Sequence, residues 1–208
     1  MGMVASTVLT TKIIHNFRPV YIAMTGIAAG LFGKGNYGDI LIADLTFDSG
    51  SGKILTDLKS KQAKFEPDYR MIDIDVDLRE NLSSCIRTRK YLDDIYNLWG
   101  AERPDTVLNA QMGPFGSGAG VVENEQFVEQ IRGHARKLIG IDMESYGVYY
   151  AATNSSRPRP KAVISIKSIS DFANPDKNNA FQKYAAFTSA NYLYKFSIDH
   201  LSEINLFP

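Results

Sequence analysis

The sequence predicts an α/β fold, one domain built on a largely parallel central sheet. Three observations carry that expectation. Strand-like and helix-like stretches alternate along the chain. Lys161 to Ile169 is an apolar run of strand length, as found where a strand is buried. The 208 residues, 44% of them hydrophobic, suffice for one domain with a sizeable core. No internal repeat or low-complexity tract interrupts the alternation.

Taken in order, Val4 to Phe17 reads as a helix that Arg18-Pro19 ends. Val20 to Met24 is a short buried strand bounded by Thr25-Gly26, and Asp39 to Phe47 is a second strand rich in Ile and Leu. Asp48 to Leu78 is polar, holds Gly and Pro, and reads as a long loop with one or two short extended pieces. Arg79 to Trp99 is a helix with Leu82, Ile86, Leu92, Ile95 and Leu98 on one face. Thr106 to Met112 is a third strand, and Gly113 to Gly120 a glycine-rich loop. Glu123 to Leu138 is an amphipathic helix, and Ile141 to Ala152 a short helix of small and aromatic residues. Its tyrosines, Tyr146, Tyr149 and Tyr150, suit a core or an interface equally. After the strand at Lys161 to Ile169, Asp176 to Leu201 is the final long helix.

Composition excludes several function classes. Lys+Arg and Asp+Glu balance at 23 each, which gives no overall electrostatic footprint for nucleic acid or an acidic membrane. The single cysteine, Cys85, forbids an internal disulfide, suits a reducing cytoplasm, and reads as structural. No apolar run approaches the roughly 20 residues of a membrane span. Met1 to Thr11 lacks the basic start and apolar stretch of a signal peptide. His15, His134 and His200 are scattered without ligand spacing, which argues against a metal site.

Ligands of open α/β sheets bind beyond the carboxyl ends of the strands. That rule selects four segments. Thr25 to Gly30 is either a tight turn or a backbone surface that a ligand approaches closely. It lacks the spacing of a dinucleotide fingerprint. Gly113 to Val122 is either a flexible connection or a ligand loop, and no Lys-Ser/Thr pair follows to make it a P-loop. Asp142-Met143-Glu144-Ser145 opens a helix, where acidic residues complement the dipole, or else offers a carboxylate to a vicinal diol. It lies just outside any strand in this reading. Ser168-Ile169-Ser170-Asp171 ends a strand, and Asp171 is either a helix cap or a protonated carboxyl at a pocket mouth.

In this order and spacing, the segments resemble the nucleoside phosphorylase and nucleosidase superfamily, in particular methylthioadenosine/S-adenosylhomocysteine nucleosidases. The resemblance runs from about Ala5 to Leu201. It is strongest at Gly140-Ile141-Asp142-Met143-Glu144-Ser145 and at Val163 to Asp171, with Thr25 to Gly30 and Gly38-Asp39-Ile40 in support. It implies a three-layer α/β/α domain over residues 1–208, with a mixed, mostly parallel central sheet. It implies that Asp171 protonates a departing purine around N7, that Ser170 holds that carboxyl, and that Glu144 binds ribose hydroxyls. Met143 would pack against the sugar, and Ala28 and Ala29 would approach the ribose with their backbones. Val121 and Val122 would line the base, and Phe181 would cover the pocket. Asp142 and Lys167 stand at substrate-site positions where nucleosidases often carry Glu and Arg. No cofactor is implied. The partners implied are a purine nucleoside or nucleotide, with water or phosphate as co-substrate, and further copies of the chain in a homo-oligomer.

The family's first strand, which in nucleosidases brings a water-activating Glu, would fall ahead of Met1, so the chain begins one helix later. Ile27 replaces a phosphate-binding hydroxyl, which favours hydrolysis over phosphorolysis. A ligand-sensing module without catalysis is the third reading. Phe47 to Lys53 resembles stand-alone or effector-fused relatives, some of which degrade adenine nucleotides in bacterial defence. Lys53, Lys167 and Lys177 are the candidate phosphate contacts in that case.

Overall fold

A computed structural model describes residues 2–56, 61, 63–120, 125–173 and 179–201. Helix α1 (Met3–Phe17) leads into strand β1 (Tyr21–Gly30), and β2 (Ile40–Asp48) follows. A hairpin of β3 (Gly52–Thr56) and β4 (Ala63–Pro67) precedes the two-residue β5 (Ile72–Asp73). Helices α2 (Val76–Thr88) and α3 (Leu92–Leu98) come next, then β6 (Ala110–Ser117) and α4 (Glu125–His134). The chain continues through β7 (Gly140–Asp142), α5 (Ser145–Asn154) and β8 (Ala162–Asp171) to α6 (Gln182–Phe196).

The main sheet has the order β5-β2-β6-β7-β1-β8, and β2 also pairs with β8. It is mixed: β1 and β8 run parallel, as do β2, β6 and β7, while the β7–β1 and β2–β8 pairs are antiparallel. β8 is buried at all ten positions, as a strand covered on both faces must be. Its alternate residues serve two cores. Ile164 and Ile166 join Leu82, Ile95, Tyr192 and Phe196 under α2, α3 and α6. Val163 and Ile169 join Ile14, Val148 and Tyr149 under α1 and α5. A third cluster, around Phe47, Ile131 and Leu138, holds α4 against the sheet.

Several sequence expectations are corrected here. The strand expected at Val20 to Met24 continues to Gly30, because Thr25 to Ala29 keep pairing with β8, so Thr25 to Gly30 is no turn. The strand expected at Thr106 to Met112 begins instead at Ala110 and takes in most of the glycine-rich loop. Gly113 is required by packing there: a Cβ would lie 2.8 Å from the Ile139 side chain. The helix expected over Arg79 to Trp99 is two helices. Arg89 takes a left-handed conformation (φ 53°), and its guanidinium donates to Asn109 Oδ1 at 2.7 Å and to the Leu108 carbonyl at 3.0 Å. Leu98, expected on the buried face, is exposed. The helix expected from Ile141 starts only at Ser145, since Gly140–Asp142 is strand β7, bonded on both edges. The Asp48–Leu78 segment carries a hairpin, a short strand and the start of α2, which Asp75 caps by accepting from the Leu78 amide at 3.1 Å. The described C-terminal part of the expected final helix divides into a 3-10 turn (Asn179–Phe181), α6, and a π turn at Ser197–Leu201.

Candidate active site

β7 lies beside β1 for only two register pairs, Ala29↔Ile141 and Gly30↔Gly140, and then turns away at Asp142 into α5. From Tyr21 to Ala28, that edge of β1 pairs with no other strand among the described residues. A groove of about 570 Å³ opens along it, lined by α1, by Tyr21 to Met24, and by Glu144. The segment 142–144 therefore stands at a strand tip, the place that ligand sites favour, and not outside a strand.

Asp171 ends β8 on the other side of β1. Ala29 is the register partner of both Ile141 and Asp171. Two strand spacings, about 9–10 Å, therefore separate the backbone of Asp171 from β7. Asp171 is buried. Its Oδ2 accepts from Ser170 Oγ at 3.0 Å and its Oδ1 from the Ala173 amide at 3.1 Å. The Ser170 hydroxyl also lies 3.4 Å from the Ala28 carbonyl, tying the carboxyl's support to β1. Phe172 makes an edge contact with Tyr37 (5.0 Å between ring centroids), and Tyr37 in turn touches Phe181 at 5.1 Å. The structure thus gathers Asp171, Ser170, Ala28, Ala29 and Phe181 around one strand end. Val121, Val122 and Lys177 lie outside the described residues.

Glu144 stands immediately before α5 and is one-fifth exposed, toward the groove. Its Oε1 accepts from the Gly2 amide at 3.2 Å, and its Oε2 lies 3.4 Å from Lys167 Nζ. Met143, beside it, is half-buried. Asp142 is placed differently from the sugar contact expected of it. Its carboxylate is buried, and both oxygens are engaged by the protein. Oδ1 accepts from Ser117 Oγ at 2.6 Å and Oδ2 from Ser145 Oγ, the Ser145 amide donates to both, and Lys167 Nζ is 3.3 Å from Oδ2. Lys167 is buried too, its side chain 5% exposed, so it is no cation at a pocket mouth. Lys53 sits exposed on the β3–β4 hairpin.

Sequence reasoning missed Ser117, Ser145 and Ser165, which wire β6, α5 and β8 together: Ser145 and Ser165 hydroxyls lie 2.8 Å apart, and Ser117 Oγ accepts from the Tyr146 amide at 2.9 Å. The signal available was the polar set inside an apolar strand, Ser165 and Lys167 two residues apart and so on one face. Among the described residues, no group of three or more His, Cys, Asp or Glu could hold a metal ion. None of the described helices is long and apolar enough to cross a membrane. Cys85 is buried within hydrogen-bonding reach of Tyr91 and His200, and burial pushes its thiol pKa up, as for a structural cysteine.

The groove where β7 leaves β1 thus has a carboxylate on each side of the β1 end, Glu144 past β7 and Asp171 on β8. Residues 1–196 match the family model of the phosphorylase superfamily, and the chain belongs to that superfamily. It is 32% identical over 201 residues to the uncharacterized protein y4jS of Sinorhizobium fredii, covering 97% of this chain and 48% of that one. It is 26% identical to the ATP nucleosidase Cap17 of Escherichia coli, covering 91% of this chain and 38% of that one. The chain thus spans about half the length, or less, of these curated relatives. Among solved structures, the methylthioadenosine/S-adenosylhomocysteine nucleosidase of Neisseria meningitidis, in complex with methylthio-immucillin-A, shares the fold. The TM-score is 0.71 at 22% identity, covering 96% of this chain and 78% of that one. Futalosine hydrolase of Helicobacter pylori gives a TM-score of 0.72 at 20% identity, over 96% and 76%.

Proposed function

We propose that the chain hydrolyses the N-ribosidic bond of a purine nucleoside or nucleotide, with Asp171 as the acid and Glu144 as the ribose ligand. The observation that carries this reading is the pair of carboxylates flanking one strand end, Asp171 held by Ser170 and Glu144 facing the groove. When the C1′–N9 bond breaks, its electron pair leaves with the base and positive charge builds on the sugar. Asp171 gives its proton to the purine around N7, which removes a poor leaving group and contributes on the order of 10²–10⁴ in rate. The negative charge of Glu144 favours the oxocarbenium-like sugar. Water supplies the hydroxyl of the free sugar and the proton that restores Asp171. None of these steps draws on a metal or an organic cofactor.

In this reading Met143 packs against the sugar, and Ala28 and Ala29 approach it through their backbones. Phe181 covers the pocket with Tyr37 and Phe172. Residues 1–208 form one nucleosidase-like domain, which works in the cytoplasm as a homo-oligomer. Similarity to an ATP nucleosidase supports including nucleotides among the substrates. The test is base release from adenosine, methylthioadenosine, AMP and ATP, with and without phosphate. Release that does not depend on phosphate is expected. Release only with phosphate makes the chain a phosphorylase, and binding without release makes it a sensor.

A further inference from the structure

The mechanism leaves one buried cation unused. Lys167 belongs to β8, whereas the two carboxylates it meets lie on the far side of β1. Its side chain crosses β1 at its register partner, Gly26. A Cβ at Gly26 would lie 3.4 Å from Lys167 Nζ and 3.6 Å from its Cδ, at ordinary van der Waals contact, so the lysine runs directly over this residue. At the end of that path Nζ sits 3.3 Å from Asp142 Oδ2 and 3.4 Å from Glu144 Oε2.

The two carboxylates are not equivalent. Asp142 is saturated by Ser117, Ser145 and the lysine, and its side chain is 1% exposed. Glu144 has one donor on each oxygen, the Gly2 amide on Oε1 and Lys167 on Oε2. A carboxylate has about four lone-pair sites, so one on each oxygen is left for a ligand. A vicinal diol, with two hydroxyl donors at carboxylate spacing, matches that pair.

We propose that Lys167 is a positioning residue that fixes the Glu144 carboxylate for a ribose 2′,3′-diol, with Asp142 as the anchor that holds the lysine. The inference rests on Glu144 as the ribose ligand. Two negative charges and one positive charge leave the cluster with one net negative charge, carried by the only one of the two carboxylates that reaches the groove. Without the lysine, two neighbouring carboxylates repel, and Glu144 loses the contact that sets its plane.

The test measures binding in the Asp171→Asn background, where turnover does not interfere. The probes are adenosine and 2′,3′-dideoxyadenosine. Charge-assisted hydrogen bonds to both hydroxyls predict a preference for adenosine above about tenfold with Lys167 present. Lys167→Met is expected to cut that preference below about threefold, leaving dideoxyadenosine affinity unchanged. Lys167→Arg, whose planar fork can serve two carboxylates, should restore most of it. Should Lys167→Met fail to fold, Lys167→Met combined with Asp142→Asn carries the test, since it removes the second buried charge as well. A preference kept in full by Lys167→Met, or by that double variant, overturns the positioning role alone. Equal binding of the two probes with Lys167 present, or no binding of either, overturns the reading of Glu144 and the proposal with it.

Discussion

Asp171→Asn separates the chemistry of the site from its architecture. The substitution keeps side-chain shape and removes the proton. Asp171 accepts from Ser170 Oγ and from the Ala173 amide. An asparagine oxygen turned toward Ala173 keeps one of these bonds. Its amide nitrogen then meets Ser170 Oγ, whose hydroxyl can rotate and accept. The acid acts in its protonated form, so the exchange is between neutral groups, and what changes is hydrogen-bond quality, about 0.5–1.5 kcal/mol. For a domain of this size that lowers Tm by roughly 1–6 °C. Loss of a general acid costs on the order of 10²–10⁴ in rate, which is about 2.7–5.4 kcal/mol of barrier. The rate should therefore fall far more than the stability. Initial rates of adenine release at saturating substrate, beside thermal unfolding of the same preparations, measure both. A variant that retains activity within about fivefold of the parent refutes the acid assignment. So does a rate loss that the population of unfolded protein accounts for.

Three further outcomes follow from the packing. A Cβ at Gly147 would collide with the Met3 carbonyl and the Ser6 and Thr7 hydroxyls, so Gly147→Ala pushes α1 off α5. The expected loss is about 1–3 kcal/mol in urea unfolding, and a neutral result would show that the two helices are not held this closely. Tyr149→Phe removes a buried hydroxyl that donates to the Ala43 carbonyl at 2.9 Å and accepts from the Ser165 amide at 3.3 Å, and should cost about 1–3 kcal/mol by the same measurement. Lys90 and Tyr91 hold the Asp199 carboxyl below its ordinary pKa, through contacts of 2.8 and 2.9 Å. A depressed folded pKa gives stability that is fully present above the unfolded value, about 3.9, and lost as pH falls through the folded one. Asp199→Asn should therefore lower Tm at pH 7 and match the parent near pH 2; a gap that persists at low pH contradicts the linkage.

The long elements were legible because their burial leaves a period in the sequence. α1 stops where Arg18-Pro19 predicts, with Arg18 left-handed at φ 47°. β8 reads as a buried strand because apolar residues recur throughout it. The misplaced boundaries share a physical cause, which is that glycine has two uses. In Thr25 to Gly30 and Gly113 to Gly120 the glycines suggest a turn or loop, whereas Gly113 lies within strand β6, where the missing side chain leaves room for Ile139. The Arg79 to Trp99 helix was overextended because Leu82, Leu92 and Ile95 all face the same core across the break at Arg89. β7 is three residues long, too short for any period to register.

The site was legible residue by residue but not as a set of relations. Asp142 and Glu144 are two residues apart in one motif and look interchangeable in the sequence. The fold divides their work. Asp142, at the tip of β7, turns inward to Ser117 and Ser145, and Glu144, past the bend, turns out toward the groove. That division follows from where β7 leaves β1, which depends on strand order and not on local sequence. The sequence did carry one sign of it. A lysine flanked by Ile166 and Ser168 in a strand with no exposed position must reach a compensating charge, because an unpaired buried ammonium is too costly to keep. β8 itself offers only Asp171, four residues on and so roughly 13 Å along the strand, so the partner had to come from another strand. Other strands offer Asp44 and Asp48 as well as the acidic pair at Asp142 and Glu144, and strand order selects the pair. A lysine in so buried a strand therefore belongs to the interior and not to the pocket mouth, and its side chain runs over Gly26 to reach the two carboxylates.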